Sequence, residues 1–119
     1  MRTSIIFLFV AFFCISGGMC WGHAFPDHSE PKVGSTVTTS PSIVRIWFDS
    51  DLEPAFSSLM VHSMDGRMVD RGDSRVDPSN PRLLEVSVPP LPPGTYLVIW
   101  NVVARDTHRT QGQFTFTVK

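Results

Sequence analysis

Beyond residue 23 the apolar residues come in short bursts that alternate with polar ones, with proline and glycine in the intervals. A chain built this way cannot bury one face as a helix, because no segment longer than a turn or two holds a 3.6-residue apolar period. It can bury one face as strands. "SIVRIWF" (Ser42–Phe48), "FSSLMVHS" (Phe56–Ser63), "RLLEVSV" (Arg82–Val88), "TYLVIWNVV" (Thr95–Val103) and "GQFTFTV" (Gly112–Val118) are rich in β-branched and aromatic residues and read as strands. A further short strand is expected within Lys32–Val37. In the last of these runs Phe114, Phe116 and Val118 alternate with Gln113, Thr115 and Thr117, giving one dry face and one wet one. Tyr96–Val103 is apolar on both faces and reads as a central strand covered from two sides. Asp65-Gly66 reads as a two-residue hairpin turn, and "PPLPPG" (Pro89–Gly94) must be a connection, since proline has no ladder donor. The expected fold is all-β: a two-sheet Greek-key sandwich or barrel of about seven strands, immunoglobulin-like. Its core would draw on Trp47, Phe48, Tyr96, Trp100, Phe114 and Phe116.

The opening "MRTSIIFLFVAFFCISGG" differs in kind. One positive charge at Arg2 precedes an unbroken apolar run from Ile5 to Ile15 and then small residues, the order of a secretory signal peptide. The run is shorter than the roughly 20 residues needed to cross a bilayer as a helix. Small side chains at Cys20 and Gly22 suit cleavage between Gly22 and His23; cutting after Ala24 satisfies the same rule, and the local residues do not choose between them. The first cut makes residues 1–22 a removed leader and 23–119 one small exported domain. Both cysteines, Cys14 and Cys20, leave with the leader, so a soft metal would have to find methionine or histidine. A formal net charge of −1 is too small to steer the chain to nucleic acid or anionic lipid.

Cleavage before His23 would create an unusual donor. An amino-terminal histidine offers its α-amine and a ring nitrogen, which together close a chelate on one ion, and both groups titrate near enough to neutrality to yield their protons. The second element is "ARDTHRT" (Ala104–Thr110). On an extended backbone Asp106 and His108 point to the same face about 6.6 Å apart. Nitrogens plus one carboxylate, without thiolate, match the tetragonal preference of Cu(II), which also stands highest in the divalent series; zinc would accept the same set. Taken alone, an Asp-x-His is usually a turn with a solvated histidine.

The stretches "HAFPDHSEPKVGSTV", "IWFDSDLEPAFSSLMV" and "LPPGTYLVIWNVVARDTHRTQGQFTFTV" resemble the CopC family of periplasmic copper-binding proteins across nearly the whole of 23–119. The resemblance implies a Greek-key β-barrel that binds Cu(II) through His23, by its α-amine and ring, together with Asp106 and His108. It also implies cleavage at Gly22/His23, a periplasmic location, and a monomeric carrier or store that serves copper tolerance or delivery to an inner-membrane transporter of the CopD type. Two departures stand out. Some members carry a glutamate ligand where this chain has Ser50, and some hold Cu(I) in a methionine-rich loop. Here Met60 and Met64 would share one hairpin face and Met68 the other, so three thioethers could not meet and gap-filling is the expected role. His28 is expected to be solvated, with a secondary metal contact as its alternative. His62 is expected to be solvated or packed, with a weak auxiliary site beside Met60 or Met64 as its alternative. Arg105 and Arg109 are surface charges of which either could orient the Asp106 carboxylate. A carrier needs no catalytic base, so no enzyme is expected. The competing classes are a copper-brace enzyme like the polysaccharide monooxygenases and a metal-free immunoglobulin-like interaction module. Protonation of the ligands should release copper as pH falls below about 6.

Overall fold

The computed structural model describes residues 24–119; the expected leader and His23 lie outside the described residues. Eight strands form two four-stranded sheets. One sheet has the order β1 (Pro26–Glu30), β3 (Ile43–Phe48), β6 (Leu83–Ser87), β5 (Arg75–Val76). The other runs β2 (Thr36–Val37), β8 (Arg109–Val118), β7 (Gly94–Val103), β4 (Ser58–Ser63). All pairs are antiparallel except β2 with β8. The all-β sandwich matches expectation, with eight strands where about seven were expected. Among the described residues the only helical segment is a 3-10 turn at Pro54–Phe56, and no helix is long and apolar enough to cross a membrane.

The core follows from the period of two. Val44, Ile46 and Phe48 of β3, Leu84 and Val86 of β6, and Tyr96, Val98, Trp100 and Val102 of β7 face one another with Leu59, Val61 and Phe116 between the sheets. Two aromatic contacts lock this layer, Phe48 edge-on to Trp100 at 5.4 Å and Tyr96 beside Phe116 at 5.8 Å. Trp100 also explains a glycine. Gly112 lies opposite it on β8, and a Cβ there would stand 2.5 Å from the indole. On the outer face of the first sheet Glu85 sits between Arg45 and Arg75 at 3.3 Å from each, which satisfies an otherwise costly buried carboxylate.

Several expectations are corrected. β1 and β5 were not visible as strands: β1 is polar and lies at a sheet edge, and β5 is two residues long. The segment expected within Lys32–Val37 reduces to Thr36–Val37. Tyr96–Val103 is central within its sheet, but its outer side chains Leu97 and Ile99 are only half-buried. Trp47 alternates to the outside of β3 rather than joining the core.

The hairpin after β4 turns on three residues, Met64–Gly66, rather than two. Ser63 N donates to Arg67 O, Gly66 N donates to Ser63 O, and Gly66 takes φ +90°, the left-handed position that lets the third residue fit. The extra residue shifts the register by one, so His62 lies opposite Met68. Directly opposed residues share a face, and Met68 therefore stands with Met60 and His62 rather than across from them.

Candidate metal centre

β7 runs out at Val103, and the chain returns as β8 from Arg109. The reversal is closed by Ala104 N donating to His108 O at 2.9 Å and Thr107 N donating to Ala104 O at 2.8 Å. Asp106 and His108 are therefore in a turn, the usual setting of an Asp-x-His, and not on the extended backbone that would point both side chains to one face. Thr107 between them takes φ +77°, a left-handed conformation rare for a β-branched residue. The consequence is closer contact than alternation on a strand would give. Asp106 Oδ1 accepts the backbone N–H of His108 at 3.1 Å, and Oδ2 lies 3.0 Å from Nδ1 of the same residue. Both side chains are on the rim of the sandwich. A carboxylate and an imidazole at that separation are hydrogen-bonded, and both are groups that can ligate a divalent cation.

The neighbouring segments converge on this turn. Arg105 N donates to Asp51 O, Glu53 N donates to Val103 O, and Leu52 bridges Ala104. From the other side comes the first described residue. Ala24 is fully buried, and its carbonyl accepts a hydrogen bond from Thr110 Oγ1 at 2.6 Å. Phe25 N donates to Asp49 Oδ1 at 2.9 Å and Asp49 N donates to Phe25 O at 3.0 Å. The chain thus enters the fold at Thr110, two residues beyond His108. Among the described residues no three His, Cys, Asp or Glu side chains gather as a metal-binding set, and Asp106 and His108 stand as a pair.

The remaining candidates are elsewhere. His28 is not simply solvated: its ring stacks on Trp47 at 4.4 Å and 8°, and Nδ1 meets Asp27 Oδ2 at 3.0 Å. His62 is half-buried at the far end of β4. Ser50 follows Asp49, whose carboxylate holds Phe25 N, and precedes Asp51, whose carboxylate holds Arg82 Nε at 3.1 Å. The flanking carboxylates are thus engaged by the fold. Arg109, one of the two arginines that could orient Asp106, donates to Asn101 Oδ1. Thr110, Ala24 and Asp49 were missed by sequence reasoning. The Thr110 contact spans 86 positions, and no local pattern announces it.

The family model for the CopC domain matches residues 27–119. The chain belongs to the CopC family. Protein YobA of Escherichia coli strain K12 is 31% identical over 100 residues, covering 83% of this chain and 81% of that protein. Copper resistance protein C of Escherichia coli is 32% identical over 118 residues, covering 88% of this chain and 94% of that one. The crystal structure of CopC from Methylosinus trichosporium OB3b aligns with a TM-score of 0.76 at 32% identity, over 82% of this chain and 94% of that one. Family membership agrees with the sandwich and with the strands that lead into and out of the Asp106–His108 turn.

Proposed function

We propose that this chain is a copper-binding protein of copper homeostasis that carries or stores Cu(II) in the periplasm. Its ligands are the α-amine and ring of His23, Asp106 and His108. The observation that carries this reading is the Asp106–His108 pair, with its Oδ2–Nδ1 separation of 3.0 Å, standing beside the point where the amino-terminal segment joins the fold at Ala24. Residue 23 is one peptide unit further on, a Cα step of about 3.8 Å. Nitrogen and carboxylate donors without thiolate suit Cu(II), and the rim position leaves a path for the ion to enter and leave. Family membership and the copper resistance protein C relatives support the same cargo. Removal of residues 1–22 by signal peptidase is part of the proposal, because the α-amine of His23 exists only after that cut. Delivery to a CopD-type inner-membrane transporter is the proposed fate of the ion, with the monomer as the carrier.

The test is Cu(II) titration of the mature chain beginning at His23, alongside a form with one extra residue before it. The expected result is tight one-to-one binding that the extra residue or His23→Ala weakens far more than His28→Ala or His62→Ala does. Equal affinities across these forms would exclude the ligand set. Oxidation of a polysaccharide driven by peroxide would replace the carrier by an enzyme.

A further inference from the structure

The chain ahead of β1 is held more firmly than a strand leader needs. Ala24 lies two residues before Pro26, the start of β1, yet it is fully buried in the hydrophobic core. Three hydrogen bonds grip the backbone of residues 24 and 25. Thr110 Oγ1 donates to Ala24 O at 2.6 Å, Phe25 N donates to Asp49 Oδ1 at 2.9 Å, and Asp49 N donates to Phe25 O at 3.0 Å. These grips come from both sheets: Asp49 follows β3, and Thr110 belongs to β8, opposite Val102 of β7. Thr110 also lies two residues beyond His108. One hairpin therefore presents the Asp106–His108 pair and holds the backbone that leads to residue 23.

We propose that Thr110 and Asp49 are positioning residues of the copper centre. They set the amino-terminal segment against the Asp106–His108 turn before any metal arrives. This rests on the reading of His23 as a ligand. Chain termini fray unless tied down, and a ligand on a fraying terminus must be ordered at the moment of binding, which lowers affinity. A terminus already seated presents its two nitrogens at a fixed distance from the other donors. Thr110 suits this role because branching at Cβ restricts its χ1, which keeps the hydroxyl aimed at the Ala24 carbonyl. Ala24 suits it because its methyl fills a closed site in the core where a larger side chain would overpack.

The decisive variant is Thr110→Val, which keeps the shape and strand preference and removes only the donor. Measured on the mature chain beginning at His23, with a competing chelator, its Cu(II) affinity should fall by about tenfold, the lower end of the range for loss of a group that orients metal ligands. Its Cu(II) paramagnetic resonance spectrum should shift or broaden, because the donors no longer meet the ion in one arrangement. Thr110→Ser, which restores the hydroxyl, should recover both affinity and spectrum. Asp70→Ala, which removes a hydrogen bond to Val61 N on β4, controls for general destabilisation and should leave the affinity unchanged. If Thr110→Val does not fold, Asp49→Ala removes the carboxylate that holds Phe25 N while keeping the Asp49 N–Phe25 O bond, and should lower the affinity in the same direction by a smaller factor. A folded Thr110→Val with unaltered affinity and spectrum, or a Thr110→Ser that behaves like the valine variant, overturns the proposal. The two levels separate cleanly. If an extra residue before His23 does not weaken binding, the ligand reading fails and this proposal falls with it; if that residue matters and Thr110→Val does not, the positioning role alone is wrong.

Discussion

Where β7 turns into β8, a carboxylate faces an imidazole; at the opposite end of the sandwich, carboxylates face backbone N–H groups. Asp106 meets the His108 ring at 3.0 Å on the rim. At the far end Asp70 accepts from Val61 N and Gly72 N, each at 2.8 Å, and Asp73 accepts from Ser87 N at 2.8 Å. Asp65 is held by the Ser63 hydroxyl and by Arg67 N, and these hydrogen bonds keep its pKa below the ordinary range. The far-end carboxylates stand in for missing strand partners: Asp70 covers the outer edge of β4, which would otherwise offer an open row of donors. A carboxylate oxygen committed to a backbone N–H is part of the fold, and Asp106 gives Oδ1 to that of His108. Its Oδ2 instead faces a ring nitrogen, itself a group able to ligate a metal, so the two ends differ although both are rich in aspartate.

Copper affinity gives the largest contrast between the ends. His108→Ala should reduce Cu(II) binding by at least the roughly 10–100-fold that loss of an outer-shell partner costs, and Asp106→Ala should do the same. His62→Ala, at the far end beside Met60 and Met68, should leave it unchanged in the same chelator competition. A loss at His62 as large as that at His108 would erase the distinction. Stability should respond next. Gly112→Ala drives a methyl to within 2.5 Å of the Trp100 indole, two residues from Thr110. We expect a loss of about 1–3 kcal/mol in chemical unfolding, the range for overpacking a closed core. A melting temperature within a degree of the parent chain would show that the sheet yields there at little cost.

Legibility in the sequence divides along the same physical line. Strands that bury one face were readable, because burial imposes alternation: β3, β7 and the second half of β8 sit where Val44–Ile46–Phe48, Tyr96–Val98–Trp100 and Phe114–Phe116–Val118 put them. β1 was not readable. Its residues are polar, and it is a strand because β3 offers it an edge. The three-residue turn at Met64–Gly66 was also hidden, since Asp-Gly fits two hairpin lengths and only pairing across the turn decides the register and hence the side of Met68. Asp106 and His108 could be paired from their spacing, but the conformation that joins them depends on a left-handed Thr107 that no propensity favours. The grip of Thr110 on Ala24 joins distant parts of the chain and leaves no local trace.

Thr107 offers a smaller test of what the site end gives up in stability. A non-glycine residue in the left-handed region costs about 1–2 kcal/mol, whereas glycine takes it freely and loses part of that gain to its looser unfolded chain. Thr107→Gly should therefore raise stability by up to about 1 kcal/mol in urea unfolding. It should also weaken Cu(II) binding, because a freer hinge lets Asp106 and His108 drift apart. A variant that is less stable than the parent would show that the turn is not strained.

The smallest effect belongs to the far end and concerns acid. Backbone and side-chain hydrogen bonds from Ser87 hold the Asp73 pKa below its ordinary value of 3.8. A carboxylate depressed in this way stabilises the folded chain above its unfolded pKa and loses that contribution as pH falls through the folded value, so the window lies below 3.8. Asp73→Asn retains an acceptor for Ser87 N but cannot titrate. Urea midpoints measured at neutral pH and near pH 3 should fall less in this variant than in the parent, by a small margin because the group is half-exposed and solvent screens it. If the two proteins lose stability in parallel, the charge on Asp73 contributes nothing to the fold, and the contrast rests on Asp70 and its hold on the β4 edge.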